Sequence, residues 1–361
     1  MFSIETTLIK LNNERFQFQV PYKFVRFLLT INRKLLNLIN LKVSNRNSLG
    51  NLNLRKVSMV FEQFEGVFAP IPTPFSPKDR TINFDFIKRH LELLNEKGVQ
   101  GVVVLGTNGE FPSLSIEERK NVISWVMKFK RDLKVIAQTG SSSFVETVGL
   151  CDYARELGVD GFLIATPYYF KTITEIALIE YYMEILNRIQ HPIFLYSMPQ
   201  TTYVTITNQV LEDLLSFNHL LGLKDSGGDW EMLKSYIKTF RRLHIFVGSD
   251  MLLKSAVEAG AGGSITAAAN VVPELVLGIF HAIKQHQQAE KLQQRLSDYR
   301  RLMIKYPIHA ATKYILYLRG FEESAVRAPL QNLTEFQKRE LERDLEALGF
   351  KFEDNDLIIE D

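Results

Sequence analysis

The chain is 361 residues long, 46% apolar and 23% charged with a formal net charge of +2, a globular composition with room for one large α/β domain or two ordinary ones. Its one cysteine, Cys151, excludes an intrachain disulfide and fits a reducing compartment such as the cytosol. Residues 1–58 hold ten Lys or Arg against two acids, Glu5 and Glu14, whereas the remaining 33 bases and 39 acids leave the rest near −6, which argues against nucleic acid as a partner.

The N-terminal 58 residues differ in character from the other 303. The stretch FVRFLLTINRKLLNLINL, 24–41, is apolar but broken by Arg26, Arg33 and Lys34, so no uncharged run reaches the roughly 18 residues of a membrane span. A basic, acid-poor extension has three readings. It is an organelle-targeting peptide, which would put the protein in a matrix; it is a membrane-surface segment; or it is upstream sequence ahead of a true start at Met59.

From residue 66 the chain alternates short β-rich runs with amphipathic ones. The runs are GVFAPIPTPF (66–75), QGVVVLG (100–106), KVIAQTG (134–140), DGFLIAT (160–166), PIFLYSM (192–198), LLGLKD (220–225), HIFVGSD (244–250) and GGSITAAA (262–269). Between them the spacing is helical. Phe86, Leu93 and Leu94 share one face, Ser115 with Glu118 forms a capping box, and Thr207 caps a later helix. Strand–helix alternation implies parallel pairing, because each crossover needs a helix. Eight such units predict an α/β fold, a closed (β/α)8 TIM barrel over 59–285. An open doubly wound sheet is the runner-up, but no GxGxxG follows the first strand. Residues 286–349 read as a C-terminal three-helix extension that packs on the barrel or on a partner, and 350–361 as an acidic tail.

Barrel enzymes carry their chemistry at the C-terminal ends of the strands. There the sequence offers Thr107 and Asn108, Tyr168 and Tyr169, Tyr196, Lys224, Ser249 and Asp250, then Ile265, Thr266 and Asn270. An amine at a buried strand end is penalised as an ammonium, and a neutral amine attacks ketones to form a Schiff base. Such a site needs a proton shuttle, for which the Tyr196 phenol is placed one strand away, and carboxylate donors, which a Gly-Thr-Asn-Gly turn supplies. Taken singly, Lys224 is equally a surface lysine, Tyr196 a core tyrosine and GTNG a β-to-α turn. Three such groups on adjacent strands are harder to set aside. Ser226, within DSGG, would need a histidine base held by a carboxylate to act as a nucleophile. None of the seven histidines falls at a predicted C-terminal strand end, and no GxSxG elbow is present. HExxH, paired histidines, cysteine clusters and a P-loop are also missing, so neither metal nor cofactor is expected.

Together GTNGEFPSLSIEER, ATPYYF, IFLYSMP and GLKDSGGD, in that order, resemble the dihydrodipicolinate synthase/N-acetylneuraminate lyase family over about 66–349. The resemblance implies a class I pyruvate aldolase on a (β/α)8 barrel with helices appended. It implies Lys224 as the Schiff-base lysine and Tyr196 as its proton relay. Thr107 and Asn108 then hold the keto-acid carboxylate, and the backbone of Ile265 lines the pyruvate pocket. Tyr169 reaches a neighbouring subunit's site, in a homotetramer or at least a dimer. The synthases carry an arginine where this chain has Thr201, and a second threonine where it has Asn108. These departures, with KDSGGD, look more like the 4-hydroxy-2-oxoglutarate aldolase branch, in which Ser226 contacts substrate. That implies cleavage of a 2-keto acid to pyruvate and an aldehyde. The alternatives are condensation of pyruvate with aspartate semialdehyde and a non-catalytic keto-acid-binding protein.

Overall fold

The computed structural model describes residues 6–11, 14–19, 63–353 and 356–359. Chain contacts divide the protein into Met1–Ser58 and Met59–Asp361. In the first unit β1 (Thr6–Leu11) pairs antiparallel with β2 (Glu14–Gln19), Thr6 opposite Gln19. The stretch 24–41, with its targeting and membrane-surface readings, and Met59 lie outside the described residues.

The second unit runs β3 (Gly66–Pro70), α1 (Phe84–Glu96), β4 (Gly101–Val104), α2 (Ile116–Phe129), β5 (Lys134–Gln138), α3 (Phe144–Glu156), β6 (Gly161–Ala165), α4 (Glu175–Arg188), β7 (Ile193–Ser197), α5 (Pro199–Thr202), α6 (Asn208–Leu214), β8 (Leu220–Asp225), α7 (Trp230–Thr239), β9 (His244–Val247), α8 (Leu253–Glu258), β10 (Gly263–Ile265) and α9 (Pro273–Lys284). All eight strands from β3 to β10 are parallel and close into a barrel, β10 pairing back onto β3. It is the TIM barrel that the alternating pattern predicts. The helices start where their caps say. Ser115 and Glu118 form the capping box of α2, and the Thr207 hydroxyl accepts from the backbone N–H of Val210 at the start of α6.

Apolar residues sort onto the two faces of the strands with period two. Phe68, Val103, Ile136, Leu163, Phe194 and Phe246 fill the interior, with Phe68 edge-on to Phe246 at 5.4 Å between centroids. Their neighbours Val67, Val102, Val135, Phe162, Leu195 and Ile245 face the helices. One strand breaks the alternation. Opposite β7, Ile193 pairs with Leu220 but Phe194 pairs with Gly222, so Leu221 is an extra residue in β8. This bulge leaves Leu221 in the inner cluster and Leu223 in the outer one, so the next residue, Lys224, opposes Tyr196. Only glycine fits at 222, where a Cβ would lie 2.0 Å from the His244 carbonyl oxygen.

After the barrel come α10 (Glu290–Met303), α11 (Ile308–Leu318) and α12 (Glu335–Ala347). The residues that the sequence assigns to an acidic tail differ from that reading. β11 (Phe350–Glu353) pairs antiparallel with β12 (Asp356–Ile359), and Phe350 and Leu357 are buried. The apolar alternation of Phe350, Phe352 and Leu357 outweighs the acids around it. Among the described residues no helix is long and apolar enough to cross a membrane.

Candidate active site

At the C-terminal ends of the strands opens a cavity of about 560 Å³. Thr107, Asn108, Tyr196, Lys224, Ser226 and Ile265, picked from the sequence on separate strand ends, all line it. Tyr169 does not; it is 75% exposed, edge-on to Phe170, itself 66% exposed.

Lys224 is only 4% exposed, and its Nζ lies 4.2 Å from the centroid of the Tyr196 ring. The ring is a cation–π platform for the ammonium and apolar packing for the free amine. The Tyr196 hydroxyl is 3.2 Å from Thr107 Oγ1 and donates to Met198 Sδ at 3.1 Å. Amine, phenol and threonine hydroxyl therefore follow one another along one wall. An amine in this setting can attack a carbonyl carbon, with a phenol at hand to carry protons.

Thr107 and Asn108 are half-buried in the turn after β4, which is locked from several sides. Gly109 N–H donates to the Gly106 carbonyl at 3.0 Å, and the Thr73 hydroxyl donates to Gly109 O at 2.7 Å. Glu110 sits in the left-handed region at φ 53°, a conformation that costs a non-glycine residue energy and needs anchoring. The anchor is electrostatic and comes from the C-terminal extension. Lys313 Nζ of α11 lies 2.5 Å from Glu110 Oε1, both side chains fully buried, and the Arg327 N–H donates to Glu110 Oε2 at 3.0 Å. Burial pulls the Lys313 ammonium down to about 8, although the Glu110 carboxylate opposes the shift. His309 Nε2 lies 3.0 Å from the Thr107 carbonyl oxygen. Burial lowers its pKa below the usual histidine range, which favours the neutral ring donating its Nε2–H.

Ser226 follows β8, its N–H donating to Ser197 O at 2.9 Å. Gly248 leaves room for the serine side chain, since a Cβ there would lie 2.0 Å from Ser226 Oγ. Asp225, on the opposite face of β8 from Lys224, is pushed up to about 6 by burial; the Gly227 N–H, the Ser197 hydroxyl and the Lys224 charge act the other way. Asp250, also buried, is raised by desolvation and drawn back down by the charges of Arg300 and Lys224 among others. Thr201, in α5, lines not this cavity but a smaller one of about 270 Å³ beside it, with Phe111, Tyr168 and Leu330.

Sequence reasoning missed the share of the wall that comes from the extension. Arg300 of α10 and Ile304 just after it, then Ile308 and His309 of α11, line the main cavity. The one signal for them was their amphipathic spacing, which marks a packed face and does not say against what it packs.

Residues 63–348 match the model of the dihydrodipicolinate synthetase family. An uncharacterised DapA-like lyase of Chloroflexus aurantiacus is 34% identical over 274 residues, 74% of this chain and 92% of the relative. A 4-hydroxy-tetrahydrodipicolinate synthase of Methanopyrus kandleri is 32% identical, over 80% of this chain and 97% of its own length. Among solved structures, the chloride-inhibited dihydrodipicolinate synthase of Acinetobacter baumannii, complexed with pyruvate, superposes with a TM-score of 0.75 at 28% identity, covering 79% of this chain and 99% of that one. A catalytic lysine mutant of the Ruminococcus gnavus sialic acid aldolase gives 0.74 at 26% identity, covering 80% and 96%. The chain belongs to the dihydrodipicolinate synthetase family and is, with it, a carbon–carbon lyase of the lysine Schiff-base kind.

Proposed function

We propose that this enzyme cleaves a 4-hydroxy-2-keto acid of the hydroxyoxoglutarate type to pyruvate and an aldehyde such as glyoxylate, through an imine on Lys224. The observation that carries the reading is the placement of the Lys224 amine over the Tyr196 ring, with the phenol reaching Thr107. The pyruvate bound by the Acinetobacter relative supports the choice of keto acid.

The Lys224 amine adds to the C2 carbonyl and water leaves, giving an iminium. The substrate C1 carboxylate sits in the Thr107–Asn108 turn. The C3–C4 bond breaks, its electron pair moving toward the iminium to give an enamine, while the C4 hydroxyl gives up its proton and becomes the aldehyde. Tyr196 carries that proton. The enamine is then protonated at C3 and water hydrolyses the imine, releasing pyruvate and the free amine. Ser226 offers its hydroxyl to the substrate.

Threonine at 201, where the synthases carry an arginine, faces the neighbouring cavity, and this departure, with Asn108 and KDSGGD, supports the hydroxyoxoglutarate reading. The synthase reading keeps support from the Methanopyrus relative. Borohydride reduction in the presence of pyruvate is expected to leave a covalent adduct on Lys224 and none in Lys224→Ala. Faster cleavage of hydroxyoxoglutarate than condensation of pyruvate with aspartate semialdehyde is expected; the reverse order would select the synthase. Tyr169 stands outside its own chain's cavity, and we assign it to the proton relay in the site of a neighbouring copy.

A further inference from the structure

The main cavity has two chemically different walls. One is built by barrel strands and holds Lys224, Tyr196 and the Thr107–Asn108 turn; the other is built by α10 and the start of α11 and holds Arg300, Ile304 and Ile308. Arg300 is the only Lys or Arg besides Lys224 among the described residues that line it. Its sequence neighbour Arg301 is committed to Asp298 at 2.6 Å, whereas Arg300 makes no ion pair within 4 Å with the described residues. It is half-buried, so its guanidinium combines access with partial desolvation, the setting in which a bidentate carboxylate contact is strongest. Asp250, in the same lining, is acted on by the charges of both Arg300 and Lys224. A five-carbon 2-keto diacid carries its two carboxylates roughly 5–6 Å apart by standard bond lengths. With C2 on Lys224 and C1 in the Thr107 turn, its far end is left to the rest of the lining, to which the extension contributes Arg300, Ile304 and Ile308.

We infer that Arg300 is the specificity residue that receives the distal carboxylate of a dicarboxylic 2-keto acid, taking over from the extension a task that no residue at position 201 performs. This rests on the Lys224 imine reading and deepens it. The bland alternative is that Arg300 only offsets the charge of buried Asp250, in which case it would treat all ligands alike.

The test compares 2-oxoglutarate, a diacid, with 2-oxobutanoate, which lacks the second carboxylate, as ligands of the full-length protein by calorimetry. Arg300→Met should weaken 2-oxoglutarate at least tenfold and 2-oxobutanoate less than twofold, with Arg300→Lys in between. The monoacid doubles as a control for folding. Equal losses on both ligands, or an undiminished affinity for the diacid, would overturn the assignment. Borohydride trapping of 2-oxobutanoate on the wild-type protein keeps the two readings apart. No adduct on Lys224 sinks the imine, while the ratio of the two affinities still judges Arg300.

Discussion

The Tyr196 phenol touches Thr107 and Met198 and its ring carries the Lys224 amine, so the residue has a packing role and a proton-transfer role that one atom separates. Tyr196→Phe keeps the ring. It should still yield the trapped pyruvate adduct while turnover falls by roughly 10²–10⁴, the usual size of a general acid–base contribution; single-turnover trapping beside steady-state rates reads both. Asp225 makes a pH prediction. Its folded pKa, raised to about 6 from 3.8, means that the folded state binds the proton more tightly than the unfolded one. The stabilising contribution is therefore complete below about 4 and lost as pH rises through 6, on the order of 2–3 kcal/mol. Melting wild type against Asp225→Asn should show the variant gaining on wild type across that window and keeping a constant lead above it. At this scale much was legible in the sequence, since strand-end polarity alone brought Thr107, Asn108, Tyr196 and Lys224 together. Arg300 and His309 were not, because a helix sequence gives its apolar stripe and not the identity of the wall that stripe completes.

The strand β8 owes the inward aim of Lys224 to one extra residue. Strict alternation from Leu221 would turn Leu223 inward and the lysine toward the helices; the bulge reverses that phase. LLGLKD hides this, because its apolar run carries no polar residue to mark a face. Gly222→Ala places a methyl against the His244 carbonyl and the Phe194 ring. It should cost about 1–3 kcal/mol as overpacking, and the activity lost should exceed the fraction unfolded, since any relief of the clash re-aims Lys224. Denaturant melts beside borohydride trapping would check both. The turn after β4 depends on another element altogether. Lys313→Met leaves Glu110 buried without its partner, at an expected cost of about 3–5 kcal/mol. The double variant Lys313→Met with Glu110→Gln should recover a large part of it, because neither leaves an isolated charge. Urea midpoints of the four proteins complete the cycle.

Every described residue lining the main cavity falls between Pro70 and His309, within the unit Met59–Asp361. A protein begun at Met59 should therefore unfold within about 2 °C of the full chain, a shift that corresponds to about 1 kcal/mol in a domain this size, and match its turnover. A lower rate would give the first 58 residues a part in the site. Tyr169 argues on the same scale. If it serves a neighbour's cavity, mixing inactive Lys224→Ala with impaired Tyr169→Phe should restore turnover above either alone, because some sites then pair an intact lysine with an intact tyrosine. Activity that never exceeds the weighted mean would return Tyr169 to the surface of its own chain.

The extension reaches back over the barrel mouth, with Arg300 and His309 closing a cavity whose amine was laid down at 224. During synthesis at roughly 5–20 residues per second, the strands emerge seconds before the helices that finish their rim. A nascent chain thus holds its nucleophile in an unroofed bowl, without the cation that we assign to sorting one keto acid from another. Discrimination is acquired last, and a ribosome that stalls late in the message would leave a reactive lysine with no means to choose.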